Sequence, residues 1–266
     1  MVQDEQDHIE GSKAPLIEHL IELRKRLLKT VIAVAIAFLI CFFFAEDIFN
    51  ILILPYEQAV GDNRQVEMIF TAPQEYFFTQ LKLALFGALF FAFPVIASQI
   101  YMFAAPGLYK HEREAFLPYL IATPILFIIG ASLVFFVIMP LALQFFLSME
   151  QTGAGVAQIT HLPKVSEYLS LVMTLIFAFG LVFQLPVVLT LLARAGLATA
   201  EGLGAKRKYA VVATFVMAAV LTPPDPISQL GLAVPTLLLY ELSILSVKMV
   251  EKKRLEKELE GEEFDA

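Results

Sequence analysis

Four long apolar runs constrain the fold of this chain more than any other feature of its sequence. They cover residues 27–44, 77–105, 117–147 and 169–195. The hydrocarbon core of a bilayer is about 30 Å thick, and a helix needs roughly 20 apolar residues to cross it. Of the 266 residues, 58% are hydrophobic and 17% are charged, whereas soluble domains contain about 45–50% apolar residues. The runs therefore predict an all-α integral membrane protein.

A proline motif divides the last apolar stretch into two shorter helices. The motif is Thr222-Pro223-Pro224-Asp225-Pro226. Successive prolines remove backbone donors and disfavour helix at the preceding residue, so the motif predicts a tight hairpin. The fifth helix is then only about 20 Å long and is expected to thin the bilayer locally. The six predicted spans are 27–44, 77–105, 117–147, 169–195, 209–221 and 227–247.

The distribution of Lys and Arg predicts the orientation of these spans, because cytoplasmic loops retain positive charge. Of the 19 Lys and Arg residues, 16 lie in segments that a cytoplasmic N-terminus would place inside. The outside segments contain only Arg64 and Lys164, and Lys82 lies within the second run. Both ends of the chain are therefore predicted to be cytoplasmic.

The chain is predicted to form a single polytopic membrane domain over residues 1–266. It ends in a charged cytoplasmic tail, residues 251–266, of which residues 251–260 are expected to form a solvated helix. Two long external loops, residues 45–76 and 148–168, are expected to cap the outer face. The apolar segment at residues 48–54 is typical of a short interfacial helix within that cap.

The segment before the first span carries a candidate binding residue, Glu22. Residues 15–26 place leucines at helical spacing beneath a charged face, which predicts an amphipathic helix. Glu22 lies four residues before Arg26, the spacing of a surface ion pair. Glu112, in the first cytoplasmic turn, supplies a second carboxylate on the same side. Two carboxylates suit a ligand with two adjacent arginines, because each guanidinium can donate two parallel hydrogen bonds. The surface ion pair and the arginine-pair site are both open at this point.

Polar groups at membrane depth are functional candidates by default. The alternative for Lys82 and Glu241 is that they extend to an interface, and the alternative for Asp225 is a plain turn residue. The polar candidates within the runs are Lys82, Gln99, Gln184, Gln229 and Glu241. Phosphate-binding, nucleophile-elbow and zinc-protease motifs are missing from the sequence, and its four histidines lack ligand spacing. The sequence therefore predicts no enzyme, no metal and no cofactor.

The sequence contains three separated motifs, HLIELRKR at 19–26, APGLYKHER at 105–113 and LTPPD at 221–225. All three resemble signatures of the TatC family, the multispanning core subunits of the twin-arginine protein translocase. The resemblance implies that the chain binds twin-arginine signal peptides of folded proteins at its cytoplasmic face. It further implies that Glu22 and Glu112 contact the arginine pair and that Pro55 and Asp225 support function from the external side. The residues implied to shape the recognition patch are Phe103, Arg24, Arg26, Lys110 and Arg113.

The same resemblance implies partners and an energy source. Single-span TatA- and TatB-type subunits are expected to join the chain in an oligomeric complex in a bacterial or archaeal plasma membrane, and transport would use the proton-motive force. Gln229 on the sixth helix, beside the short fifth helix, and Gln184 are the expected partner contacts. Residues 179–186, FGLVFQLP, resemble the fourth-span motif of the family, in which a glutamate is expected at the position of Gln184. Gln184 keeps the shape of a glutamate but cannot carry its charge. No nucleic acid is expected as a partner. Competing hypotheses are a small-solute secondary transporter and an intramembrane protease, for which the spans offer little support.

Overall fold

The computed structural model describes residues 2–61, 67–104, 117–150, 161–223 and 225–264. Side chains are described for residues 17, 19–61, 67–103, 118–150, 161–223 and 225–256. Within these ranges the chain is helical apart from its connecting segments and one isolated β-bridge. The helices are α1 (Val2–Phe43), α2 (Ala45–Val60), α3 (Glu75–Ala104), α4 (Leu117–Leu133), α5 (Met139–Leu147), α6 (Val165–Val182), α7 (Leu185–Arg194), α8 (Ala200–Ala205), α9 (Arg207–Leu221) and α10 (Pro226–Phe264).

Five helical segments in the described part of the chain are long and apolar enough to cross a membrane. The prediction of an all-α membrane fold is therefore confirmed. The short fifth helix is present as α9, whose 15 residues span about 22 Å. This is less than the bilayer core, so the count of six spans and the orientation of the ends stay predictions. The five long segments are His19–Phe43, Glu75–Phe103, Pro118–Leu147, Val165–Arg194 and Pro226–Glu256.

Several helix boundaries differ from those expected. The span predicted at 169–195 is two helices, because α6 ends at Val182 and α7 begins at Leu185. Pro186 lies at the start of α7 and has no N–H to donate to the carbonyl four residues earlier, which favours a break there. The last helix continues beyond 247 to Phe264, so most of the predicted tail belongs to α10.

The helices pack in pairs around a shared apolar core. Helix α1 packs against α3, α4 against α6, α2 against α5, and both α7 and α9 against α10. In the apolar window of α1 only 6% of residues are buried within the protein, so this helix presents most of its surface to lipid. A π-helical turn, Val134–Ile138, joins α4 to α5. The main core includes the fully buried side chains of Leu83, Val134, Leu169 and Phe179.

Two glycines let α4 and α6 approach closely, as small residues do at helix interfaces in membranes. A Cβ on Gly130 would lie 2.7 Å from the backbone oxygen of Phe179. A Cβ on Gly180 would lie 2.4 Å from the ring of Phe127. The α4–α6 contact therefore depends on the absence of side chains at both positions.

Gly130→Ala is expected to lower the free energy of unfolding by about 1 kcal/mol or more, because a backbone oxygen cannot move away as a flexible side chain can. The measurement is the thermal unfolding midpoint of the purified protein in detergent. Gly231→Ala is the matched control, since its Cβ would meet Ile138 at an ordinary 3.4 Å. Equal midpoints for the two variants would contradict the importance of this close approach.

The described parts of the two long loops meet and form a cap at one end of the bundle. Ile69 and Lys164 form a parallel bridge, in which Ile69 N donates to Pro163 O at 3.1 Å and Val165 N donates to Ile69 O at 3.0 Å. The Tyr168 hydroxyl donates to the Leu52 carbonyl of α2 at 2.9 Å. These contacts place α2 and both loops together, and we call this the cap end of the bundle. Glu22, far along α1 from the cap, lies at the opposite end.

Candidate functional site

Glu22 and Arg26 form an ion pair one turn apart on α1. Arg26 Nη2 donates to Glu22 Oε1 at 3.0 Å, and the side chains are 24% and 32% exposed, respectively. Arg26 Nη1 also approaches α3, at 3.3 Å from the Met102 sulfur and 3.5 Å from Gln99 Oε1. The ion pair that the spacing predicted is therefore present, and its guanidinium also joins α1 to α3.

Phe103 lies at the same end of the bundle as this pair. Its ring stacks on His19 of α1, with centroids 4.3 Å apart and planes inclined by 25°. His19 is three residues before Glu22, so the aromatic pair is about one turn from the carboxylate. The structure thus brings Glu22, Arg26 and Phe103 together at the α1–α3 contact. Arg24 is exposed and, two residues from Glu22, projects from the far side of α1.

The surface beside Glu22 is strongly cationic. A cleft of about 430 Å³ is lined by Ile21, Glu22, Lys25, Arg26 and Lys29. One carboxylate and three cations leave this face with a net positive charge, which opposes the approach of a cationic ligand. A site for two arginines here requires further negative charge. Glu112, the predicted second carboxylate, lies outside the described residues, as do Lys110 and Arg113.

Gln184 is buried at the break between α6 and α7, with 7% of its surface exposed. Its Nε2 donates to the Thr123 carbonyl of α4 at 3.0 Å and to the Gly180 carbonyl at 3.2 Å. Its Oε1 is buried and has no hydrogen-bond partner in the described part of the chain. Because Nε2 faces two carbonyl oxygens, the amide orientation follows from the donor requirement. Gln184 thus holds the helix break against α4 as a neutral donor. Its expected partner contact stays a prediction.

Sequence reasoning missed two residues of this polar cluster. The Tyr101 hydroxyl and Thr123 Oγ1 lie 2.6 Å apart, which links α3 to α4 beside Gln184. Thr123 is almost fully buried, with 1% exposed. The available signal was a hydroxyl residue within an apolar run, but a threonine can also bond to its own helix backbone, so the sequence alone did not indicate a cluster.

Asp225 caps α10 at the cap end of the bundle. Its Oδ1 accepts from Ser228 N at 2.7 Å and its side chain is buried, which is the geometry of a helix N-cap. The turn role that we weighed as the alternative is therefore present. Gln229 follows on α10 and is half-buried, and Pro55 is buried within α2. The functional roles implied for Asp225, Gln229 and Pro55 stay predictions.

The two remaining polar candidates differ in their surroundings. Arg207 Nε and Nη2 donate to the Glu241 carboxylate at 2.6 and 2.8 Å, a bidentate pair that joins α9 to α10. Its hydrogen bonds to Glu241 raise the pKa of the Arg207 guanidinium above its usual value. Lys82, in contrast, is exposed on α3 and forms no ion pair with a described residue.

These features define a class of protein. It is a multi-pass helical membrane protein with a carboxylate–guanidinium pair and an aromatic stack at one end of the bundle and a two-loop cap at the other. Within the described residues, no group of three or more His, Cys, Asp or Glu is placed to hold a metal ion.

Comparisons with known proteins identify the family. The family model described as Sec-independent protein translocase protein (TatC) matches residues 18–235. A TatC protein of Magnetococcus marinus is 49% identical over 92% of this chain and 88% of its own length. TatC of Escherichia coli strain K12 is 41% identical over 86% of each chain. A crystal structure titled as the twin arginine translocase receptor TatC superposes with a TM-score of 0.74 at 39% identity, covering 87% of this chain and 98% of that one. The chain belongs to the TatC family, and the small-solute transporter hypothesis is not favoured.

Proposed function

We propose that this chain is a receptor subunit that binds twin-arginine signal peptides of folded proteins at the end of the bundle that carries Glu22. The observation that supports this best is the Glu22–Arg26 pair. It shows that the Glu22 carboxylate, still partly exposed, accepts a hydrogen bond from a guanidinium at 3.0 Å. The crystallised TatC relative, titled a twin arginine translocase receptor, supports the same reading.

The charges around Glu22 explain why a second carboxylate belongs to the proposal. Lys25, Arg26 and Lys29 surround Glu22, so an arginine pair meets net repulsion on α1 alone. Glu112 follows α3, whose Phe103 stacks on His19 beside Glu22. Each peptide guanidinium then pairs with one carboxylate. Arginine is preferred to lysine, because its planar fork donates two parallel hydrogen bonds where an ammonium acts as a point charge.

The distribution of positive charge along the chain supports one orientation of the bundle in the membrane. Lys and Arg concentrate between residues 13 and 29 of α1, in the C-terminal part of α10 and in the segments 105–117 and 194–208, which supports a cytoplasmic location for both termini. The cap end then faces outward. The bacterial TatC relatives support a bacterial or archaeal plasma membrane as the location. The length of helix α9, about 22 Å, is less than the thickness of the bilayer core, which favours local thinning of the bilayer.

The surface of α9 and α10 is the proposed contact for TatA- and TatB-type single-span subunits. Helix α9 exposes a row of large apolar side chains, and Gln229 is half-buried at the start of α10. Gln184 is buried, so it would affect this contact indirectly, through α7, which packs against α10. The assembled complex would use the proton-motive force to export folded cargo.

The test of the receptor proposal compares peptides that differ only in the arginine pair. A fluorescent signal peptide with Arg-Arg and one with Lys-Lys are titrated onto the full-length protein in lipid nanodiscs, with photo-crosslinking to locate the contact. Tighter binding of the Arg-Arg peptide by about tenfold or more is expected, which corresponds to about 1.4 kcal/mol. Equal affinity for the two peptides, or crosslinks confined to the cap end, would contradict the proposal.

A further inference from the structure

A groove between α3, α6 and α9 has one charged side chain, Lys82, among its described lining residues. The groove has a volume of about 750 Å³, and its remaining lining is apolar apart from Ser170 and Thr174. We propose that this groove binds one phospholipid with an anionic headgroup, whose phosphate pairs with Lys82 and whose acyl chain lies along the apolar wall. The proposal concerns a lipid site separate from the Glu22 end of the bundle.

The polarity of the groove matches the polarity of a lipid. Lys82 is seven residues after Glu75, where α3 begins at the cap end, and Ser170 is five residues after the start of α6 at Val165. At 1.5 Å per residue, these groups lie about 10 Å and 8 Å from the cap ends of their helices. Beyond Thr174, towards the bilayer centre, the lining is apolar, and Phe86 and Phe177 meet edge to face at 5.2 Å. A headgroup would therefore lie at the cap end and its chain would point inward.

The positive charge of Lys82 favours an anionic ligand in the groove. Lys82 is exposed to the groove, and no carboxylate in the described part of the chain pairs with it. An ammonium at membrane depth is costly unless it reaches water or an opposite charge. The flexible stem of lysine can lie along apolar surface while the amine reaches a headgroup. A lipid phosphate at the level of Lys82 and Ser170 supplies both the opposite charge and a hydrogen-bond acceptor.

The short helix α9 brings the headgroups to that level. Its last residue, Leu221, lines the same groove as Lys82, so the cap end of α9 borders the groove that contains the Lys82 side chain. A bilayer thins to match a helix shorter than its core. Beside α9, the headgroup layer therefore lies lower than around the longer helices, within reach of Lys82. A transmembrane helix with a carboxylate is the competing occupant, and the test distinguishes the two.

The experiment measures lipid binding to the purified full-length protein by native mass spectrometry. Delipidated protein is titrated with phosphatidylglycerol, which is anionic, and with phosphatidylethanolamine, which is zwitterionic, without any partner subunit. Wild type is expected to retain the first bound lipid more tightly when it is phosphatidylglycerol. Lys82→Gln is expected to weaken that lipid by about fivefold, since one lysine near a lipid surface contributes about 1 kcal/mol, and Lys82→Arg to retain it. The matched control is Lys164→Gln, which removes a cation of the cap end that does not line the groove.

A second variant tests the acyl-chain part of the site. Ala178 lines the groove on α6, and Ala178→Trp is expected to fill it and weaken both lipids, with the thermal midpoint reporting whether the variant is folded. Unchanged phosphatidylglycerol binding in Lys82→Gln would overturn the proposal. An equal loss in Lys164→Gln would also overturn it, because the effect would then be general surface charge. The proposal would also be overturned if the protein retained neither lipid but bound a carboxylate-bearing helical peptide in a way that depends on Lys82.

Discussion

Glu22→Gln is expected to weaken binding of an Arg-Arg signal peptide by roughly 10- to 100-fold. The substitution keeps the size and one acceptor of the side chain but removes its charge. A hydrogen bond to a charged group contributes about 1.5–3 kcal/mol, which corresponds to this range. Loss of the charge also leaves Lys25, Arg26 and Lys29 without their nearby carboxylate, so repulsion of the peptide increases. The measurement is the Kd in the nanodisc titration.

The control for this variant is Glu57→Gln. Glu57 is exposed on α2, at the cap end, so its loss changes the net charge by the same amount far from the site. Its Kd is expected to equal that of the wild type. The Lys-Lys peptide should lose much less affinity than the Arg-Arg peptide in Glu22→Gln. A uniform loss for both peptides, or wild-type affinity in Glu22→Gln, would mean that Glu22 serves only as the ion-pair partner of Arg26.

Gln184→Leu is expected to lower the free energy of unfolding by about 1–3 kcal/mol, because two buried carbonyls lose a donor. These are the carbonyls of Thr123 and Gly180, at 3.0 and 3.2 Å from Nε2. Leucine fills a similar volume, so the loss reports the hydrogen bonds more than the packing. The measurement is chemical or thermal unfolding of the purified protein in detergent, and the α6–α7 break is where we expect the first loss of order.

Gln184→Glu tests whether the hydrogen-bond donor or only the shape of the Gln184 side chain stabilises the fold. A carboxyl group can donate to one of these carbonyls only while it is protonated, and an ionised carboxylate would face two acceptor oxygens. This variant should therefore approach wild-type stability at low pH and fall towards that of Gln184→Leu as the pH rises. The matched control is Thr190→Val on α7, because Thr190 bonds within its own helix to Pro186 O and should show no such pH dependence. A pH-independent Gln184→Glu would contradict the neutral-donor role.

The proposed receptor site was only partly predictable from the sequence. The spacing of Glu22 and Arg26 predicted their ion pair, since side chains four residues apart on a helix are neighbours. The stack of Phe103 on His19 was not predictable, because it depends on how α1 and α3 cross. The burial of Gln184 likewise follows from packing of α4 against the α6–α7 break, which local pattern does not specify.

The sequence by itself determined the all-α membrane class, the approximate positions of the long helices and the short helix before the proline hairpin. These properties follow from run length, apolar composition and proline chemistry, which act locally along the chain. The tertiary structure alone decided which polar groups are buried, paired or free. Arg207 pairs with Glu241 across α9 and α10, whereas Lys82 lies in an apolar groove. In the sequence, Glu241 and Lys82 were both charged residues within apolar runs. Only the distances between helices show that Glu241 forms an ion pair and that Lys82 pairs with no described residue.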